Sequence, residues 1–124
     1  MTKIFHNIER LPEFSRDLKK LLKKYPTLES DLATFINTVL KIYHKENIPL
    51  SSVVQISNLG ISVPSIYKVR KFTCKALKGK GAASGIRIIY AYHKDKDTIE
   101  FIEIYYKGNK ENEDRGRILS HYRN

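Results

Sequence analysis

The chain has 124 residues and a formal net charge of +10, with Lys+Arg 23 against Asp+Glu 13, a length that holds one ordinary domain, here taken as 1–124, and no second sizeable core. Hydrophobic residues at 41% and charged residues at 29% exclude a disordered chain, and no apolar run approaches the roughly 20 residues of a membrane span. The single cysteine, Cys74, excludes an intramolecular disulfide framework and a Cys-cluster zinc site and fits a reducing, cytoplasmic compartment.

The opening MTKIFHNIER has no apolar signal core and reads as structure, with Lys3 to Ile8 a strand or an extended arm. From Pro12, the residues Phe14, Leu18, Leu21, Leu22 and Tyr25 recur at three- and four-residue spacing, with Arg16, Lys19, Lys20, Lys23 and Lys24 between them. This predicts an amphipathic helix over Pro12–Tyr25, begun by Pro12 and ended by Pro26. A second helix is predicted over Thr27–His44, with Thr27 as N-cap, Glu29 and Asp31 in its first turn, and an apolar face of Leu28, Leu32, Phe35, Ile36, Val39, Leu40 and Tyr43. The short link predicts a helical hairpin. The segment Lys45 to Pro64 is ambiguous, although its Val53-Val54-Gln55-Ile56 run is strand-like.

Three strands follow, over Ser65–Ala76, Gly85–His93 and Thr98–Tyr106, the last two joined at Lys94-Asp95-Lys96-Asp97 as a hairpin. Glu111 to Tyr122 is a polar stretch that closes as a short helix. The order predicts an α+β fold in which an N-terminal helical hairpin packs on an antiparallel sheet. Leu18, Leu21, Leu32, Ile36, Leu40, Ile88 and Ile102 are the expected core.

The charge is uneven along this order. No acidic residue lies between Asn47 and Lys94, a stretch carrying Lys68, Arg70, Lys71, Lys75, Lys78, Lys80, Arg87 and Lys94, whereas the rest holds 15 basic against 13 acidic residues. Such concentration points to a polyanion-facing surface. The cluster Lys78–Gly85, K-G-K-G-A-A-S-G, is not a phosphate loop, because no Gly-Lys-Ser/Thr follows and Gly85 opens a strand instead of a helix. It reads as a basic loop that meets phosphates by charge. The four histidines are scattered without metal-ligand spacing, so no metal or other cofactor is expected, and His93 and His121 remain acid–base candidates. Eight tyrosines accompany no tryptophan, and those on the strands interleave with Lys68, Arg70 and Arg87; Tyr106, at a strand end, is the favoured functional one.

With no Gly-x-Ser-x-Gly and no acid dyad, the chemistry these residues support is phosphodiester chemistry at a cationic site. Cations stabilise the pentacovalent phosphorane, RNA brings its own 2′-OH nucleophile, and a dense positive field lowers a lysine or tyrosine toward a usable base.

Several pieces in this order carry a resemblance: F-S-R-D-L-K-K-L-L-K-K-Y-P, Y-K-V-R-K-F, S-G-I-R-I-I-Y-A-Y and I-E-F-I-E-I-Y-Y-K-G-N-K-E-N-E-D. From Phe14 to about Leu119, outside Lys45–Pro64, the chain resembles the RelE/ParE superfamily of type II toxin–antitoxin toxins, in its RelE/HigB-like branch. The resemblance implies a ribosome-dependent endoribonuclease that cleaves mRNA and is silenced by a cognate antitoxin in a hetero-oligomer. It places the catalytic set on Lys68, Arg70, Arg87, Tyr106 and Lys107, with Lys110 beside them, and the basic stretch adds Lys71, Lys75, Lys78 and Lys80 as expected RNA contacts by charge. Arg70 stands where RelE-type members carry a lysine, which leaves Lys68 or Tyr106 as base and the two arginines as phosphate clamps. A ParE-like gyrase inhibitor and a non-catalytic RNA-binding module are the alternatives on the same fold.

Overall fold

The structure, a computed structural model, describes residues 3–77 and 84–122. Strands β1 (Asn7–Arg10), β2 (Val53–Gln55), β3 (Ser65–Val69), β4 (Ile86–His93) and β5 (Thr98–Tyr106) form one sheet in the order β1-β5-β4-β3-β2. The β2 to β5 pairings are antiparallel, and β1 adds a parallel edge beside β5. The N-terminal strand is therefore Asn7–Arg10, overlapping the expected Lys3–Ile8 only at Asn7 and Ile8, and the ambiguous Lys45–Pro64 segment supplies β2. Helices α1 (Pro12–Leu22) and α2 (Leu28–Phe35) precede the central strands, and α3 (Arg115–Tyr122) ends the described chain. This is the α+β architecture expected from the element order.

The apolar faces explain the layering. Phe14, Leu18, Leu28, Leu32 and Leu40 pack on Val69, Ile88, Tyr90, Ile99 and Phe101, one side of the sheet. The other side carries Ile66, Ile89, Ala91, Ile102 and Tyr105 under Leu11 and Ile118. Leu18, Leu32, Leu40, Ile88 and Ile102 are buried as expected, with Ile102 facing α3 instead of the hairpin. Leu21 and Ile36 are only half-buried. Each stands where regular α-helical geometry gives out, Leu21 in the last turn of α1 and Ile36 just past α2.

Two local differences from the predicted elements have identifiable causes. First, α2 continues over Ile36–Lys45 as a π-helical segment. The Thr38 hydroxyl donates to the Thr34 carbonyl at 2.7 Å and competes with the regular ladder there. Second, β3 stops at Val69, short of Ala76, because α2 captures the backbone that follows. The Lys75 N–H donates to Asp31 Oδ2 at 3.2 Å, and the Ala76 N–H to Thr27 Oγ1 at 2.9 Å. Thr27 thus ties β3's continuation to the helix and makes no side-chain cap to α2.

The π-helical segment delivers His44 into a nest of Tyr43, Tyr67, Tyr90 and Tyr92, with Nε2 2.8 Å from the Tyr90 hydroxyl. Burial, helped by the Lys45 charge, lowers the imidazole from 6.5 to about 4. The unfolded chain therefore takes up this proton first as pH falls, so the contribution of His44 to stability is complete above pH 6.5 and is lost on the way down to about 4. Thermal melts between pH 7 and 4.5 are expected to show a smaller acid-induced drop in Tm for His44→Gln than for the unaltered chain. Equal slopes would contradict the assignment.

Candidate functional site

Strand parity puts Lys68 and Arg70, two residues apart, on one face of β3 and its continuation. The register then decides whether Arg87 joins them. Lys68 lies opposite Ile89, and Arg87 lies opposite Tyr105, so all these residues stand on the side of the sheet away from the α1–α2 hairpin. Arg70 is exposed, and its guanidinium donates to the Ser51 carbonyl at 3.3 Å. Arg87 is half-exposed, and its hydrogen bond among the described residues is a long one, 3.4 Å, to the Ile86 carbonyl. No carboxylate among the described residues neutralises either arginine.

The two lysines of the group are held differently. Lys68 Nζ lies 2.9 Å from Glu113 Oε1, with side chains 19% and 11% exposed. Burial presses the Lys68 ammonium down, but Glu113 and Tyr105 outweigh it and the net direction is up. Burial likewise pushes the Glu113 carboxyl up, and Lys68 with Arg115 brings it below the usual carboxylate range. Lys110 reaches back over the Tyr105 ring, 5.4 Å from its centroid, and pairs with Glu103, which is 1% exposed. Glu103 Oε1 also accepts the Asp114 N–H at 2.8 Å. Desolvation raises Tyr105 against the opposing pull of Lys68. The shifts of Lys68 and Tyr105 thus run opposite to the direction a general base needs. Both are protonated at neutral pH, which leaves a fixed cation beside a phenol able to donate a proton.

The remaining predicted residues do not join this group. Tyr106 points to the hairpin side, where its ring lies 6.1 Å from that of Tyr25. It is wedged between two glycines: a Cβ on Gly85, whose φ is +84°, would meet Tyr106 Cε1 at 2.9 Å, and one on Gly108 would press on the other edge of the ring. Lys107 is exposed in the turn after β5, its N–H donating to the Gly85 carbonyl at 2.8 Å. Lys71 and Lys75 line a groove with Asp31, Thr34 and Phe35 against α2, drawn there by the tie between Thr27, Asp31 and residues 75–76. Lys78 and Lys80, with most of the glycine cluster, lie outside the described residues. His93 sits at the far end of β4 with Nε2 3.2 Å from Glu100, and His121 pairs with Glu13 of α1. Neither is near Arg87.

Three residues of the site escaped sequence reasoning: Tyr105, Glu103 and Glu113. A bulge is responsible for the first two. Ile89 pairs with Glu103 but the next residue, Tyr90, pairs with Phe101, so Ile102 is an extra residue in β5. Simple alternation from Phe101 would put Tyr105 on the hairpin side and Tyr106 on the Arg87 side. The bulge exchanges them. Glu113 lies 45 residues from Lys68, and no local pattern announces that pairing.

No helix among the described residues is long and apolar enough to cross a membrane. No protein-family model matches the chain, and no curated protein matches it. Among solved structures, it is similar to the archaeal RelE–RelB complex from Pyrococcus horikoshii OT3, at 13% identity and a TM-score of 0.51, over 84% of this chain and 97% of that one. At that identity the likeness is one of fold, and the fold of this chain is RelE-like.

Proposed function

We propose that the chain is the toxin of a toxin–antitoxin pair and acts as an endoribonuclease on mRNA at the ribosome. The observation that carries this reading is the grouping of Lys68, Arg70, Arg87 and Lys110 with the Tyr105 hydroxyl on one sheet face of a RelE-like fold. In the proposed reaction the RNA 2′-hydroxyl gives its proton to solvent water as its oxygen bonds to the adjacent phosphorus, and the bond to the 5′-oxygen breaks as that oxygen takes up a proton. Arg87 and Arg70, free of carboxylate partners among the described residues, hold the phosphoryl oxygens as charge builds on them. Lys68 adds a fixed positive charge, and Tyr105 supplies a proton. Lys107 extends the positive surface along the RNA, Lys71 and Lys75 stand apart from it on the α2 side, and Tyr106 keeps only a packing role. An mRNA held this way is bound by charge, so its affinity falls steeply with added salt.

The partner in this reading is an antitoxin with an acidic or amphipathic segment, laid on the basic face or along the exposed edge of β1 or β2. The solved neighbour is itself a complex of RelE with RelB, which supports this assignment. The deciding experiment induces the chain alone in cells, maps mRNA ends and scores gyrase-linked DNA breaks in parallel. New mRNA ends inside translated regions, absent when ribosomes are blocked, are expected. Gyrase-linked breaks without new mRNA ends would replace this reading with a gyrase inhibitor. Failure of any small protein encoded beside this chain to co-purify with it would remove the antitoxin assignment.

A further inference from the structure

We propose that Glu113 is a built-in counter-anion that occupies the phosphate position of the cationic face, so that a substrate must displace its carboxylate from Lys68 before binding. The inference rests on the reading of that face as an RNA site. Glu113 is not on the sheet; it lies on the connection between β5 and α3 and returns to Lys68 across 45 residues. Its Oε1 takes the Lys68 ammonium at 2.9 Å, while Oε2 is 3.8 Å from Arg115, beyond hydrogen-bond reach. Lys68 is thus the one side chain within hydrogen-bond distance of the carboxylate among the described residues.

The Tyr105 hydroxyl shows that this arrangement is incomplete. Tyr105 is 6% exposed, and its oxygen is, among the described residues, the one buried side-chain polar atom without a hydrogen-bond partner. Lys68 acts on that oxygen by charge and as a nearby donor, but an ammonium has no lone pair to accept the phenol proton, so the O–H donor is left without an acceptor. A buried hydroxyl without a partner is costly, and native interiors rarely keep one without a use. A planar carboxylate engaged by Lys68 leaves that donor unserved. A tetrahedral phosphate offers oxygens outside one plane, able to take Lys68 and the Tyr105 hydroxyl together, with Arg87 opposite Tyr105 across β4 and β5.

The exchange needs little movement. The buried Glu103 carboxylate holds the main chain just after Glu113 through the Asp114 N–H at 2.8 Å and also takes the Lys110 ammonium. Rotation of the Glu113 side chain alone therefore opens the position, and α3 stays docked through Arg117, which bonds Asp17 at 2.7 Å and the Ile102 carbonyl at 2.9 Å. A single small anion has to outcompete a tethered carboxylate. A nucleic-acid strand gains Arg70 and Arg87 as well, so the device favours polyanions over free phosphate.

The test compares the unaltered chain, Glu113→Gln, Glu113→Ala and Glu113→Gln combined with Tyr105→Phe, using a fluorescein-labelled ten-nucleotide RNA and inorganic pyrophosphate as separate probes. Glu113→Gln keeps the shape of the side chain, and Glu113→Ala together with thermal melts shows that any change is not misfolding. Both Glu113 variants are expected to bind both probes about five- to tenfold more tightly, the scale of one partly buried ion pair. The added Tyr105→Phe is expected to remove most of that gain. RNA binding with no gain in either Glu113 variant would overturn the counter-anion and leave the RNA reading standing. A gain for pyrophosphate with no RNA binding in any variant would uphold the counter-anion and overturn the RNA reading. No binding of either probe would overturn both.

Discussion

On the proposed toxin reading, Arg87→Ala is expected to abolish growth arrest on induction of the chain while leaving its fold and its binding of the proposed antitoxin intact. Arg87 stands on β4 opposite Tyr105 of β5, one residue beyond the Val69–Ile88 pair that ends the β3–β4 ladder, so its backbone is held in the sheet. Its guanidinium is the half-exposed cation of the group with no carboxylate partner among the described residues, and its one bond there is the long contact to the Ile86 carbonyl. Truncation therefore leaves no buried charge unpaired, and the stability change should stay within about 0.5 kcal/mol, as for ordinary surface substitutions. The chemistry is another matter. Removing one positioned donor from a developing oxyanion typically costs about 10²–10³ in rate, enough to release growth. Lys19→Ala, exposed on α1, is the matched control and should remain toxic. Growth curves after induction, mRNA end mapping and chemical denaturation give the three readouts. Full toxicity of Arg87→Ala at unchanged stability would remove Arg87 from the catalytic group.

Phe14→Ala is expected to produce the largest stability loss, about 3–5 kcal/mol, the range seen when a buried aromatic is truncated to a methyl group. Phe14 is 0% exposed, and its ring stacks on Phe101 with centroids 5.2 Å apart and planes at 25°. That contact fastens α1 to β5, the strand whose other face carries Glu103 and Tyr105. Neighbouring Leu18 and Leu28, already packed in the same cluster, cannot collapse fully into the vacated volume. Against a total stability of about 5–15 kcal/mol for a domain of ordinary size, the loss leaves a marginal protein. Urea titration should show a lower midpoint with an unchanged slope, and toxicity should fall through loss of folded chain. A midpoint shifted by less than the equivalent of about 1 kcal/mol would show that the α1–β5 contact contributes little.

The sequence by itself determined the elements and the charge. The three- and four-residue apolar spacing located α1 and α2, the β-branched and aromatic runs located β4 and β5, and the acid-free stretch located the cationic half. It also placed Lys68 and Arg70 on one face, because alternation along a strand is a local property. What it left undecided depends on which distant segments meet. The β3–β4–β5 register brings Arg87 to Lys68, and the extra residue at Ile102 reverses the parity that separates Tyr105 from Tyr106. Thr27 and Asp31 draw Lys75, and with it Lys71, away to the α2 side. Glu113 reaches Lys68 only once α3 is docked through Arg117 and Ile118. Helical and strand periodicities are set by backbone geometry over a few residues. Register, bulges and ion pairs between remote residues are set by how whole faces pack and by which buried polar groups find partners, and those are decided only when the chain is folded.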